Sequence, residues 1–305
     1  MIDQRRKFIK RTIAGSIGLN LLGITTFGDI KQSSDLTILH TNDMHSRIDP
    51  FPDDGGKYAG LGGMSRRAQL ITEIRSQVDQ VLLLDAGDIF QGTPYFNLFG
   101  GALEFKLMSQ IKYDAATLGN HDFDNGIGGL QEQLPHAKFP FIISNYDFSR
   151  TSLSGQFDPY RVFQKGSIRV GVFGLGIELT GLVAEQLYGK TRYIDPVSVA
   201  KEMVQQLKSL DCQLIVCISH LGYQYQSEKI SDRKLAEDVS GIDLIIGGHT
   251  HTFLPEPQKI THLDGHSTLI NQVGFGGIHL GRIDYQLTVG SANLTQSSKT
   301  VKVNN

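Results

Sequence analysis

The chain has 305 residues, enough to bury a sizeable core, and its 40% hydrophobic and 20% charged residues are ordinary for a globular protein. The net charge is −2, and no basic patch of the nucleic-acid-binding type lies beyond the N-terminus. This composition argues against a protein that grips a polynucleotide backbone.

The N-terminus contains a twin-arginine cluster, Arg5 and Arg6, followed by the uncharged, mildly apolar run 12–28. This segment resembles a bacterial twin-arginine export signal, which a receptor reads and which carries folded cargo. We therefore predict an export signal at residues 1–30 and a periplasmic or otherwise exported protein. An uncleaved anchor and an amphipathic surface helix are the alternatives. The run is short for a membrane span and contains polar residues, so no stable span is expected in the mature form.

The following residues alternate between apolar runs typical of strands and stretches with helical spacing. Strands are predicted at 36–42, 81–85, 114–118, 139–143, 213–219, 243–246, 268–273 and 278–288, with a hairpin over 160–176. Helices are predicted at 63–77, 101–111, 127–134, 196–209 and 230–239. The final 15 residues are polar and are expected to fray. The mixture predicts a sheet-on-sheet core covered by helices, in one domain over residues 31–305.

Five short polar motifs each follow an apolar run. They are T-N-D-M-H (41–45), D-A-G-D (85–88), G-N-H-D-F-D (119–124), S-H (219–220) and G-G-H-T-H (247–251). In open α/β sheets, sites form at the carboxyl edge of the strands, so these motifs should converge. The converging ligand candidates are Asp43, His45, Asp88, Asn120, His220, His249 and His251. They suffice for two divalent ions that share a carboxylate, and Mn²⁺, Zn²⁺, Fe²⁺ and Co²⁺ all suit such ligands.

Each motif taken alone has a second interpretation. A D-x-H pair such as Asp43 and His45 occurs by chance, and a lone histidine is more often a satisfied core or surface residue. Asp88 ends an apolar run, where an unpaired carboxylate would be costly, and a bridging metal ligand would offset that cost. The set, with each member at a strand end, favours the two-metal hypothesis.

On these motifs the chain resembles the calcineurin-like metallophosphoesterase superfamily, and within it the 5′-nucleotidase branch. The resemblance implies an α/β (α+β) fold, a four-layer αββα sandwich of two mixed β-sheets packed face to face and flanked by helices. It implies one ion held by Asp43, His45, Asp88 and His251, and a second held by Asp88, Asn120, His220 and His249. Some nucleotidases of this branch have a glutamine where this chain has His251.

The resemblance also implies catalysis by attack of a metal-bridging hydroxide on the phosphorus of a nucleotide phosphate monoester. His121 would stabilise the transition state and protonate the leaving oxygen, and Asp124 would orient its ring. For Asp122, a solvent-facing loop position is expected. Asp85 is expected to make a structural hydrogen bond, and Asn145 to approach the site from the side.

Nucleotidases of this branch usually carry a second, C-terminal domain that binds the nucleoside, and this chain stops about where that domain would begin. A separate polypeptide that supplies the pocket is one interpretation, and an enzyme that reads mainly the phosphate is another. The activity therefore has alternatives: a 2′,3′-cyclic nucleotide phosphodiesterase, a nucleotide-sugar hydrolase, a sulfur-oxidation hydrolase, or a non-catalytic scaffold that needs a partner. The expected ligand remains a small-molecule phosphoester.

Overall fold

The computed structural model describes residues 36–287 and 294–304, and the predicted export signal at 1–30 lies outside them. The assignment of 31–305 to one catalytic domain remains a prediction. None of the described helices combines the length and apolar composition needed to cross a bilayer.

The strands follow the chain from β1 to β13. They are β1 (Leu36–Thr41), β2 (Val81–Asp85), β3 (Ala115–Ala116), β4 (Tyr146–Asp147), β5 (Tyr160–Lys165), β6 (Ile168–Leu175), β7 (Arg192–Tyr193), β8 (Leu214–Ser219), β9 (Leu244–Gly247), β10 (Gln258–Thr261), β11 (Ser267–Asn271), β12 (His279–Leu287) and β13 (Leu294–Lys302). The α-helices are α1 (Met64–Gln77), α2 (Pro94–Phe99), α3 (Ala102–Ile111), α4 (Gly126–Gln133), α5 (Glu185–Tyr188), α6 (Pro196–Ser209) and α7 (Asp232–Asp238), with 3₁₀ turns at His121–Phe123 and Leu134–His136.

These strands form two large mixed sheets within the described residues. The first has the order β13-β12-β1-β2-β3, in which β1, β2 and β3 run parallel and β12 and β13 are antiparallel to their neighbours. The second has the order β10-β11-β9-β8-β6-β5, with a parallel centre from β11 to β6 and an antiparallel strand at each edge. Strands β4 and β7 form a separate small ladder.

The two sheets pack face to face, and helices cover their outer faces. Because side chains alternate along a strand, Ile38 of β1 enters the core between the sheets, where Val216 of β8 also lies. Leu39 instead faces the outer core formed with α1, α3 and α4. On the second sheet Cys217 faces the outer core formed with α6 and α7. The four-layer αββα sandwich predicted from the resemblance is thus confirmed.

Local chemistry explains why α6 has the predicted bounds. Asp195 precedes the helix and its carboxylate accepts a hydrogen bond from the Ser198 backbone N–H at 2.8 Å, which caps the N-terminus. Pro196 occupies the first turn, where a missing N–H costs nothing. The buried residues of the helix then recur on one face against the second sheet.

Two expectations about strands are wrong. The polar residues near the C-terminus do not fray, because β13 pairs with β12 along its full length, from Leu287 opposite Leu294 to His279 opposite Lys302. Backbone pairing of this kind does not depend on apolar side chains. Residues 139–143 form isolated bridges rather than a strand, since Pro140 lacks the N–H that a ladder needs.

Candidate metal centre

The predicted ligand residues converge where the carboxyl ends of the two sheets meet. Asp43 and His45 follow β1, Asp88 follows β2, and Asn120 follows β3. His220 follows β8 in the second sheet, and His249 and His251 follow β9. The structure therefore brings all seven residues to one crevice between the sheets, as a shared strand edge requires.

One group of ligand atoms, here called the site-one cluster, comprises Asp43, His45 and His251, whose ligand atoms lie within 4.8 Å of one another. The Nε2 atoms of His45 and His251 face each other at 2.9 Å. Nε2 of His251 lies 3.4 Å from Oδ1 of Asp43. Two imidazole nitrogens and a carboxylate that point at one spot are the donor set of a divalent transition metal.

The second group, the site-two cluster, comprises Asp88, His220 and His249, which also lie within 4.8 Å of one another. Asn120 joins it, because its Oδ1 lies 2.8 Å from Nδ1 of His249. His220 is fully buried, and its Nδ1 donates to the Ala86 carbonyl at 2.7 Å. That bond fixes Nδ1 as a protonated ring nitrogen and directs Nε2 toward the cluster.

Asp88 lies between the two clusters. Its Oδ2 is 3.1 Å from Nε2 of His220 and 3.9 Å from Nε2 of His45. Its Oδ1 accepts the backbone N–H of His121 at 2.8 Å. One carboxylate oxygen thus reaches both clusters, which is the position of a bridging ligand.

The backbone around the clusters is strained in a way that favours a functional role. Five predicted ligands, Asp43, His45, Asp88, His249 and His251, have positive φ angles between 48° and 70°. Left-handed conformations are uncommon outside glycine and persist where surrounding contacts enforce them. The chain also approaches closely at Gly119, where a Cβ atom would lie 2.6 Å from Nε2 of His220 and would collide with the Asp88 carboxylate.

Burial and neighbouring charges shift the pKa values of the site histidines in different directions. Burial alone would lower the pKa of His220, but the neighbouring carboxylate of Asp88 outweighs it and raises that pKa to about 10. For His249, burial is the largest cause and His220 adds to it, so its pKa falls to about 4. Burial also lowers the pKa of His45.

These observations fit divalent cations in both clusters. Nε2 of His220 is buried and makes no hydrogen bond of proper geometry, so an acceptor of its lone pair is missing among the described residues. The donor set of nitrogen and carboxylate oxygen suits divalent transition metals. The structure supports two metal-binding groups, and their role as ligands remains a prediction.

His121 and Asp124 lie beside the clusters at the mouth of the crevice. Nδ1 of His121 lies 2.8 Å from Oδ2 of Asp124, as predicted, and the ring stands 5.2 Å from that of His45. The His121 side chain is 37% exposed. Burial lowers its pKa, but the carboxylates of Asp88 and Asp124 outweigh this effect and raise it. A partly exposed histidine beside the metal groups, with a raised pKa, can serve as a general acid.

The expectation for Asp122 is wrong. Its carboxylate is fully buried rather than solvent-facing. It accepts four backbone N–H bonds, from Asp88, Ile89, Phe90 and Gly119, at 2.8–3.1 Å. Asp122 therefore fastens the loop after β2 to the loop after β3. The sequence signal for a role at the site was that Asp122 directly follows His121. The sequence does not show which backbone N–H groups lie near its carboxylate.

Asp85, Asn42 and Asn145 make structural hydrogen bonds. Asp85 accepts a hydrogen bond from Thr41 at 2.5 Å, which confirms the structural role predicted for it. Asn42 donates to the Gly274 carbonyl and accepts from the Val273 N–H, and so ties the loop after β1 to the segment after β11. Asn145 does not reach the clusters, because its side chain bonds both backbone groups of Gly176.

Comparison with known proteins gives a consistent result. The family model described as calcineurin-like phosphoesterase matches residues 36–253. The snake venom 5′-nucleotidase of Crotalus adamanteus is 38% identical over 229 residues, which are 73% of this chain and 38% of that protein. The 5′-nucleotidase of Vibrio cholerae is 31% identical over 315 residues and covers 94% of this chain and 56% of that protein.

A solved structure agrees in fold. The 5′-nucleotidase precursor from Thermus thermophilus aligns with a TM-score of 0.79 at 32% identity, over 88% of this chain and 54% of that one. The chain therefore spans about half the length of these relatives, or less.

Proposed function

The chain belongs to the calcineurin-like phosphoesterase family, and on that premise we propose that it is an exported, two-metal-dependent phosphoesterase that hydrolyses phosphate monoesters of nucleotides. The observation that carries this proposal is the shared carboxylate: Oδ2 of Asp88 lies within 3.9 Å of a histidine nitrogen in each cluster, with His121 alongside.

In this proposal one ion is held by Asp43, His45, Asp88 and His251, and the other by Asp88, Asn120, His220 and His249. Two divalent ions so held would lower the pKa of a water molecule between them and neutralise phosphoryl oxygens. The protein contributes by holding the ligands rigidly. Its hydrogen bonds from His220 to the Ala86 carbonyl and from the His249 backbone to Asp43 fix the directions of the donor atoms.

His121 supplies the proton for the leaving oxygen. Asp124 fixes Nδ1 of the ring, so that Nε2 is the atom available to substrate. The carboxylates of Asp88 and Asp124 raise the pKa of His121, a direction that suits a general acid. Asp124 acts through His121 and is a positioning residue.

The proposal of a nucleotide substrate rests on the relatives, which are 5′-nucleotidases. Because the chain covers only part of their length, a separate domain or polypeptide that completes the substrate pocket is part of the proposal. Export rests on the twin-arginine pattern at Arg5 and Arg6.

The direct test is phosphate release from AMP, with bis(p-nitrophenyl) phosphate as a generic diester. The purified chain is stripped of metal with a chelator, then reloaded with Mn²⁺ or Zn²⁺. We expect phosphate release from AMP to depend on the added metal. It should also be faster than hydrolysis of the diester. His121→Ala should lower kcat about 10²–10⁴-fold while the chain retains both ions.

A matched control is His136→Ala, since that histidine lies in a 3₁₀ turn away from the clusters. Preference for the diester would favour the cyclic phosphodiesterase alternative. Two bound ions without turnover of either substrate would contradict a stand-alone phosphoesterase, and recovery on adding a candidate partner would support the two-chain alternative.

A further inference from the structure

The loop after β9 carries one predicted ligand of each ion. His249 belongs to the site-two cluster and His251 to the site-one cluster, with Thr250 between them. Both histidines have left-handed backbone conformations, with φ angles of 70° and 51°. Such conformations are costly for residues that have a side chain, and they persist where surrounding contacts hold them. The loop therefore depends on contacts from elsewhere in the chain.

The side chain of Gln272 makes those contacts. Gln272 directly follows β11 and is fully buried. Its Nε2 donates to the Gly248 carbonyl at 2.6 Å. Its Oε1 accepts the Thr250 hydroxyl at 3.0 Å and also accepts the Thr252 backbone N–H. One amide thus bonds the residues before, between and after the two ligand histidines.

Both ends of the Gln272 amide are needed for this arrangement. The Gly248 carbonyl requires a donor and the Thr252 N–H requires an acceptor, so one orientation of the amide satisfies both. A carboxylate would offer the carbonyl no proton, and an apolar side chain would remove all three bonds. The bonded positions alternate with the two left-handed residues, so the amide holds the chain on each side of both histidines.

The residues that follow this glutamine hold a second ligand-bearing loop. Asn42, the neighbour of the predicted ligand Asp43, accepts the Val273 N–H at 3.0 Å. The Gly276 N–H donates to the Asp43 carbonyl at 2.8 Å. Residues 272–276 therefore fasten the loop after β1 and the loop after β9 to one piece of chain, and the two loops carry ligands of both clusters.

We propose that Gln272 is a positioning residue that sets the backbone of His249 and His251 together, and so fixes one ligand of each ion. The loop takes up its amide, so Gln272 acts through the two histidines rather than as a ligand. This inference rests on the ligand roles in the proposed function. It has a distinctive consequence, because a change at Gln272 should weaken both ions at once, whereas each of the two histidines belongs to one cluster.

The test variant is Gln272→Met, which keeps the length of the side chain but removes its three hydrogen bonds. Titration with Zn²⁺ against a competing chelator should show both ions bound about 10–100-fold more weakly, the usual effect of removing a group that orients a ligand. This measurement does not need turnover. Equal affinities in the variant and the wild type, or weakening of one ion alone, would overturn the inference.

The matched control is Asn145→Leu, which also removes a fully buried amide that bonds two backbone groups, both of Gly176. Like Gln272→Met, it should lower the urea midpoint of the metal-free chain, because buried hydrogen bonds are lost. Both Zn²⁺ affinities should stay within about 2-fold of the wild type. A loss of affinity as large as that in Gln272→Met would reduce the effect to general destabilisation and overturn the positioning role.

A second pair of variants covers the case in which Gln272→Met does not fold. Thr250→Val removes the hydroxyl that bonds Oε1 of Gln272 and should weaken both ions about 3-fold, whereas Thr250→Ser keeps the hydroxyl and should restore them. If the wild type binds two ions but hydrolyses no phosphoester, the proposed function fails, and joint weakening in the variants still supports the positioning role. A wild type that binds no Zn²⁺ would overturn both.

Discussion

The two ligand clusters use the same residue types but differ in how firmly the protein holds them. In the site-two cluster, His220 is fully buried and its Nδ1 is fixed by the Ala86 carbonyl. In the site-one cluster, the His251 side chain is 39% exposed and stacks on Phe275 at a centroid distance of 5.1 Å. The comparison indicates that the core fixes His220 of site two, whereas His251 of site one lies at the partly exposed rim.

The largest expected effect comes from the residue that both clusters share. Asp88→Asn keeps the shape but removes the charge that balances two cations, so the chain should retain fewer than one ion and lose at least about 10³-fold in phosphate release. Metal analysis and the AMP assay measure the two quantities. Asp53→Asn in the exposed loop is the control. Retention of two ions would show that Asp88 does not bridge.

Replacing one histidine in each cluster tests whether site two holds its ion more firmly than site one. His220→Ala should weaken the second ion at least about 100-fold, beyond what outer-shell partners usually cost. His251→Ala should weaken the first ion about 10-fold, because this exposed ligand can be replaced by water. Titration with a chelator as competitor gives both constants. Equal losses at the two sites would remove the distinction between core and rim.

The hydrogen bonds by which Asp122 joins the loops after β2 and β3 can be removed without changing a predicted metal ligand. Asp122→Asn replaces an acceptor of four backbone N–H groups with an amide whose own N–H groups face them. The free energy of unfolding of the metal-free chain should fall by about 3 kcal/mol. Urea denaturation measures it. Asp124→Asn, a partly exposed carboxyl with one hydrogen-bond partner, should cost less than about 1 kcal/mol.

The clusters should also respond differently to pH. The pKa of His220 is raised to about 10, so in the ion-free site it carries a proton that an incoming cation must displace. Affinity at site two should therefore rise about 10-fold per pH unit between about pH 6 and 8. Burial lowers the pKa of His45, so a cation at site one displaces less proton from that ring, and the affinity at site one should depend less steeply on pH.

Site two keeps all its predicted ligands in His251→Ala, and site one keeps all of its own in His220→Ala, so each variant is titrated for the site that it leaves intact. A flat profile at site two would mean that His220 binds no proton in the empty site.

The smallest effect concerns the stacking that holds His251. Phe275→Leu removes a ring contact of about 0.5–1.5 kcal/mol and should weaken the first ion about 3-fold, with the second ion unchanged. Phe253→Leu is the control, since its ring lies in the same aromatic group but contacts His279 rather than His251. A similar loss in both variants would point to general loosening of the group.

The sequence predicted those features that depend on residues close together in the chain, such as helix ends and the polar residues that follow strands. The bounds of α6 were predicted as 196–209 and observed as Pro196–Ser209, because a cap and a proline mark its start. The seven predicted ligands come together because each follows a strand, and strands deliver their ends to one edge. Two patterns were ambiguous: at 139–143 Pro140 lacks the N–H that would extend the ladder, and near the C-terminus β12 offers a partner along the whole of β13.

What the sequence alone determined was the type of fold and the identity of the residues gathered at the site, because strand periodicity and ligand chemistry are local properties. The tertiary structure decided how those residues work. It buried Asp122 under four N–H donors and turned His220 toward Asp88. Asp122 meets the Asp88 backbone across 34 residues of chain, and His220 meets the Ala86 carbonyl across 134. Only packing in three dimensions sets which distant backbone group meets which side chain.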